Sequence, residues 1–153
     1  MKLFRALVAG IAAVILAGCS LTGAGMVDLD TVPYSFQPPE GLASKLSVEP
    51  ISGPWADEVF AGEVEAAAVV SYTPEEGDPT IFMVAYYMPD FVFDGSVFPD
   101  EPSMYGTEVA RADGYVLAVA GPQDSIFEPE TADGKNVTSI TEVIYDPESY
   151  MPN

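Results

Sequence analysis

Apolar residues in this chain come in short blocks set off by proline and glycine, and the spacing inside each block says what it can become. The 14 prolines all lie from Pro33 onward and leave segments too short for long helices. Between them the chain is rich in Val, Ile, Tyr and Phe bounded by turn residues, a strand signature. Val32 to Phe36 and Lys45 to Glu49 read as short edge strands, where proline is tolerated. Val64 to Thr73 and Thr80 to Met88 are longer, and Pro74-Glu-Glu-Gly-Asp-Pro79 joins them as a central hairpin. Gly106 to Ala112 and Tyr115 to Ala120 form a second hairpin about Asp113-Gly114, the pair favoured in two-residue turns. Helical spacing occurs twice. Pro54-Trp55-Ala-Asp-Glu58 has the proline and acids of a first turn, with Gly62 as its stop. From about Asp133 to Tyr145, Val137, Ile140, Val143 and Ile144 make one apolar stripe. The pattern predicts an α+β fold: an antiparallel sheet of about five or six strands with a C-terminal helix packed on one face.

The run from Ala6 to Ala17 is a short unbroken apolar block. It follows Lys2 and Arg5 and ends at Gly18 and Cys19, the layout of an export signal. At about 12 residues it reaches roughly 18 Å as a helix, short of the roughly 20 residues a bilayer core requires. Leu16-Ala17-Gly18-Cys19 resembles the lipobox of bacterial lipoproteins. That resemblance implies a diacylglycerol joined to the Cys19 thiol and a signal peptidase that reads Leu16, Ala17 and Gly18 and cuts before Cys19. The chain would then be held to a membrane by lipid, facing outside the cytoplasm. Each buried acyl CH₂ adds about 0.8 kcal/mol, so two chains anchor where one does not. The chain has one cysteine, so a disulfide does not compete for it. The expected organisation is a leader over residues 1–18, a lipidated tether over 19–31 and a single domain over 32–153.

Charge changes the picture of partners. Removing the leader takes Lys2 and Arg5, leaving Lys45, Arg111 and Lys135 against 24 acidic residues. Such a body repels phosphate backbones and excludes nucleic acid, whose binding depends on Lys and Arg displacing counterions. The excess suits a basic protein or peptide partner, and equally a plain acidic coat that keeps the protein soluble.

Candidate chemistry is narrow. The chain contains no histidine and its cysteine sits in the lipobox, so Ser-His-Asp, Cys-His and His-zinc sites cannot be built. Ser44 and Lys45 are adjacent, which is not the Ser-x-x-Lys spacing. A small carboxylate-dependent hydrolase remains as an alternative, although among 24 acids some pair always falls about 5 to 10 Å apart. The expectation is a non-catalytic accessory domain without a cofactor beyond its lipid. A second alternative is a calcium-binding lipoprotein: Asp90, Asp94, Gly95 and Glu101 occupy positions 1, 5, 6 and 12 of an EF-hand loop, with Val92 where a ligand belongs. The bland counterpart is an acidic loop whose Phe91, Phe93 and Phe98 tuck into the core. The wider stretch from Tyr86 to Tyr105, with Met88 and Met104, is likewise either core or a partner-binding loop. Asn136-Val137-Thr138 has the form of a glycosylation sequon.

A last resemblance concerns fold alone. Gly114-Tyr115-Val-Leu-Ala-Val-Ala-Gly-Pro122-Gln-Asp124, a strand leaving into a Pro-x-Asp corner before a helix, is similar to small exported α+β domains of the PsbP and Mog1 type. Those domains do unrelated things, so the resemblance implies no activity.

Overall fold

Asp113 and Gly114 both adopt positive φ, 54° and 81°, as a two-residue primed turn requires. The hairpin β6 (Thr107–Ala112) to β7 (Tyr115–Ala120) therefore closes where the Asp-Gly pair places it. The computed structural model describes residues 25–153, and within them the other expected hairpin is β4 (Ala66–Tyr72) to β5 (Thr80–Pro89). With β3 (Leu46–Pro50) at one edge, the main sheet has the order β3-β4-β5-β7-β6, antiparallel throughout. Bulges fall after Val70 and after Glu108.

Both faces of this sheet are covered, which explains why Val116, Leu117, Ala118 and Val119 are all buried in β7. Leu117 and Val119 join Val70, Met83 and Ala85 beneath α3 (Ala132–Thr141), which inserts Val137 and Ile140. Val116 and Ala118 join Val84, Tyr86 and Met88 on the opposite face, beneath α1 (Gly53–Ala61) and α2 (Asp90–Gly95), which contribute Val59 and Phe93. The C-terminal helix thus packs on one face as its stripe predicts. The second cover is a finding of the structure.

Thr131 caps α3, its Oγ1 accepting the Gly134 N–H at 3.0 Å. The helix ends at Thr141 rather than at Tyr145, although Ile144 N–H still reaches the Ile140 carbonyl at 3.2 Å. Pro147 disfavours helix in the residue before it, and the buried Tyr150 hydroxyl donates to the Ile144 carbonyl at 2.7 Å. Burial also pushes the ionisation of Tyr150 up, so it keeps the proton this bond needs.

A smaller sheet, β1 (Val27–Asp28), β2 (Tyr34–Phe36) and β8 (Tyr150–Pro152), lies over the α3 side and adds Tyr34, Phe36 and Tyr150 to that core. Residues 27–31, expected in the tether, belong to the body. The Asp28 carboxylate accepts the Asp30 N–H at 2.9 Å, Asp30 holds φ at 58°, and this tight turn sends Leu29 fully into the core. Leu16, Ala17, Gly18 and Cys19 lie outside the described residues, and among the described residues no helix is long and apolar enough to cross a membrane.

Candidate functional site

The face built on α1 and α2 carries large apolar side chains on its outside as well as its inside. Phe91 and Phe93 stand two apart on a helix, roughly 200° around its axis, so they cannot both face the sheet. Phe93 is buried, while Phe91 is 64% exposed. Beyond α2 the loop holds Phe98 at 59% and Met104 at 77% exposure, and on α1 Trp55 and Phe60 are also exposed. The aromatic stretch is therefore divided. Tyr86, Met88, Phe93 and Tyr105 are core; Phe91, Phe98 and Met104, the first two expected inside, are bare.

This outward display is fixed by local bonding. Ser96 Oγ donates to the Phe93 carbonyl at 2.6 Å, which uses its one proton, so the 2.6 Å contact between the Ser96 and Ser103 hydroxyls has Ser103 as donor. Ser103 Oγ in turn accepts the Tyr105 N–H at 3.1 Å. Tyr105 stacks edge to face on Tyr86 at 5.3 Å, and its hydroxyl lies where a side chain at Gly62 would sit. The loop is pinned at both ends while Phe98 and Met104 point to water.

A second fastener joins α2 to the sheet. Arg111 on β6 makes two hydrogen bonds to Asp94, at 2.7 and 3.2 Å, and two to Glu108, at 2.8 and 2.7 Å. Hydrogen bonds from that guanidinium hold both carboxyls below their usual range.

Two adjoining hollows result. One, about 560 Å³, lies between Gly62, Phe91, Phe98 and Tyr105, with Glu63 and Glu101 in its wall. The other, about 220 Å³, lies between Trp55, Val59 and Tyr86, with Glu58 in its wall. Met104 and Tyr105 belong to both, so the pair forms one open groove with an apolar floor and a carboxylate rim. Glu63 is held in the left-handed region at φ 65°, an uncommon state for glutamate, by the turn after Gly62. A roomier hollow of about 680 Å³ beside Gln37, Glu40 and Ser44 has no large apolar side chain in its wall.

The segment of the alternative calcium-loop reading, Asp90 to Glu101, takes another form. Asp90 to Gly95 is helix, favoured by Pro89 before it and Asp90 in its first turn. Asp94 faces Arg111, Glu101 pairs across a bridge with Phe98, and among the described residues no three acidic side chains gather as metal ligands. Ser44 and Lys45 sit in a 3₁₀ turn rather than on a strand. Asn136 spends its amide on the Tyr72 hydroxyl at 3.1 Å, and that hydroxyl donates to Asp133 at 2.7 Å. Nothing in the sequence marks Trp55 and Glu58 as neighbours of Met104, or Glu63 as a neighbour of Phe98 and Met104. Only the packing of α1 beside α2 brings them together.

No protein-family profile matches this chain, and no curated protein or solved structure resembles it significantly.

Proposed function

We propose that this chain is a membrane-anchored lipoprotein facing outside the cytoplasm, whose body is a non-catalytic domain that binds a protein or peptide partner through the α1–α2 face. One observation carries the binding reading: Phe98 and Met104 are kept in water by a loop whose own hydrogen bonds hold it in place, beside the exposed Phe91 of α2. Burying such a side chain is worth about 1.5–3 kcal/mol, and exposed apolar groups gathered on one face mark interaction sites. Aromatic residues and Met are also the residues enriched at interface cores. The lipobox at Leu16 to Cys19 supports the anchor. The residue types support a non-catalytic body. The chain lacks histidine, the commonest general acid and base.

A photoreactive amino acid placed at Phe98 of the full chain, expressed in cells that process lipoproteins, tests the reading. Discrete protein adducts are expected from position 98 and none from Ile81, which is exposed at the far end of β5. Equal labelling from both positions, or none from 98, contradicts it. In the same cells Cys19→Ser is expected to release the protein from the membrane fraction.

A further inference from the structure

The groove has a chemistry that selects its occupant. Its floor is apolar and its charged lining is Glu58, Glu63 and Glu101, without a lysine or arginine among the residues that line it. The three cations of the described body do not relieve this charge: Lys45 and Lys135 lie on other elements, and Arg111 is taken up by Asp94 and Glu108. An anionic ligand would therefore meet an unscreened carboxylate rim, and phosphate-bearing lipid would be repelled in the same way. Small-molecule sites enclose most of their ligand, whereas these hollows are open along one side and share Met104 and Tyr105 as a common wall. Side chains set at intervals along a backbone suit that shape.

Resting on the binding reading above, we infer that the groove takes a linear polypeptide segment carrying large apolar side chains beside Lys or Arg. Apolar side chains enter the two hollows on either side of Met104. A cationic side chain lies against Glu63 and Glu101. The apolar contacts supply most of the affinity, since buried anchors dominate interfaces and exposed charge pairs contribute little each. The carboxylates choose the partner and speed its approach, so selectivity weakens as salt rises.

The test uses the full lipidated protein in nanodiscs and a labelled peptide of alternating leucine and lysine. Comparison peptides replace every lysine by glutamate or every leucine by serine, and vesicles of phosphatidylglycerol are a separate arm. The leucine-lysine peptide is expected to bind, and the other two to bind at least about tenfold more weakly. Phe98→Ser with Met104→Ser is expected to weaken binding about tenfold at all salt concentrations. Glu63→Asn with Glu101→Gln is expected to lower affinity several-fold and to flatten the salt dependence. Asparagine adopts the left-handed backbone of position 63 readily, so this pair leaves the fold intact. All four replaced side chains are exposed, and unchanged thermal unfolding confirms that each variant is folded.

Equal binding of the leucine-glutamate peptide, or indifference to either pair of substitutions, overturns the inference. So does vesicle binding that Phe98→Ser with Met104→Ser abolishes, which would assign the face to a membrane. If position 98 captures a protein in cells while the leucine-lysine peptide fails to bind, the basic-apolar inference falls and the binding face stands. If neither occurs, both fall.

Discussion

Gly106→Ala is expected to destabilise the body by about 2–4 kcal/mol, a large effect for a single methyl group. Gly106 sits at φ 87°, and a Cβ there would strike the carbonyl of Val119 and the Cα of Ala120. Those are backbone atoms of β7, a central strand, and cannot swing aside as a side-chain tip could. Gly114 provides the control. It also has positive φ, 81°, but a Cβ there meets open space, so Gly114→Ala is expected to cost only about 1 kcal/mol, the conformational part alone. Chemical denaturation of the two variants separates the collision from the backbone preference. Because Gly106 follows the pinned loop that presents Met104, its variant is also expected to disturb the groove.

Phe93→Ala carries the second large effect. Its ring is buried against the sheet with Val116 and Ala118, and removing it leaves a cavity worth about 3–5 kcal/mol. The same change at Phe91, two residues earlier on the same short helix, is expected to stay within about 0.5 kcal/mol of the parent, because that ring is mostly in water. Thermal or urea unfolding of the pair reads the division directly. Similar losses at both positions would mean that the whole aromatic stretch is core and that the groove does not exist as described.

The contrast between Phe91 and Phe93 also shows where local pattern stops being informative. Aromatic residues two apart suggest a strand or a loop dipping into the core, and six residues are too few to show a helical period, so α2 was not visible from its own residues. The two hairpins were legible because their turns are chemical facts: Asp113-Gly114 and the Pro74 to Pro79 loop permit little else. The C-terminal helix was legible because Val137 and Ile140 repeat at its period. The small sheet was not. It pairs Ser35 with residues at the far end of the chain, down to the 2.6 Å bond from Ser35 Oγ to Asn153 Oδ1, and no neighbouring residue announces a partner so distant in sequence. Cover on the second face was not expected either: only a C-terminal helix on one face was, whereas α1 with α2 closes the other face over Val116 and Ala118.

The candidate site was half legible for the same reason. Composition singled out Phe91, Phe98 and Met104 as a stretch with two meanings, and exposure chooses between them. Their carboxylate neighbours Glu58, on α1, and Glu63, just after it, come from about thirty to forty-five residues earlier, and a surplus of acids everywhere hides the few that line a groove. Asp94 illustrates the converse. Its spacing from Asp90 and Glu101 suggests a ligand, yet it serves as the anchor for Arg111 that ties α2 to β6.

Methyl NMR of the full lipidated protein, labelled at its methionines and titrated with the leucine-lysine peptide, tests most directly whether the α1–α2 face is where a partner binds. Met104 stands in the shared wall of the groove, Met83 and Met88 are buried in the sheet, and Met151 is half exposed on the smaller sheet. A saturable shift of the Met104 methyl, with those of Met26, Met83, Met88 and Met151 unmoved, is the expected result. A shift at Met151 as large as that at Met104, or a Met104 methyl that does not respond, would contradict it.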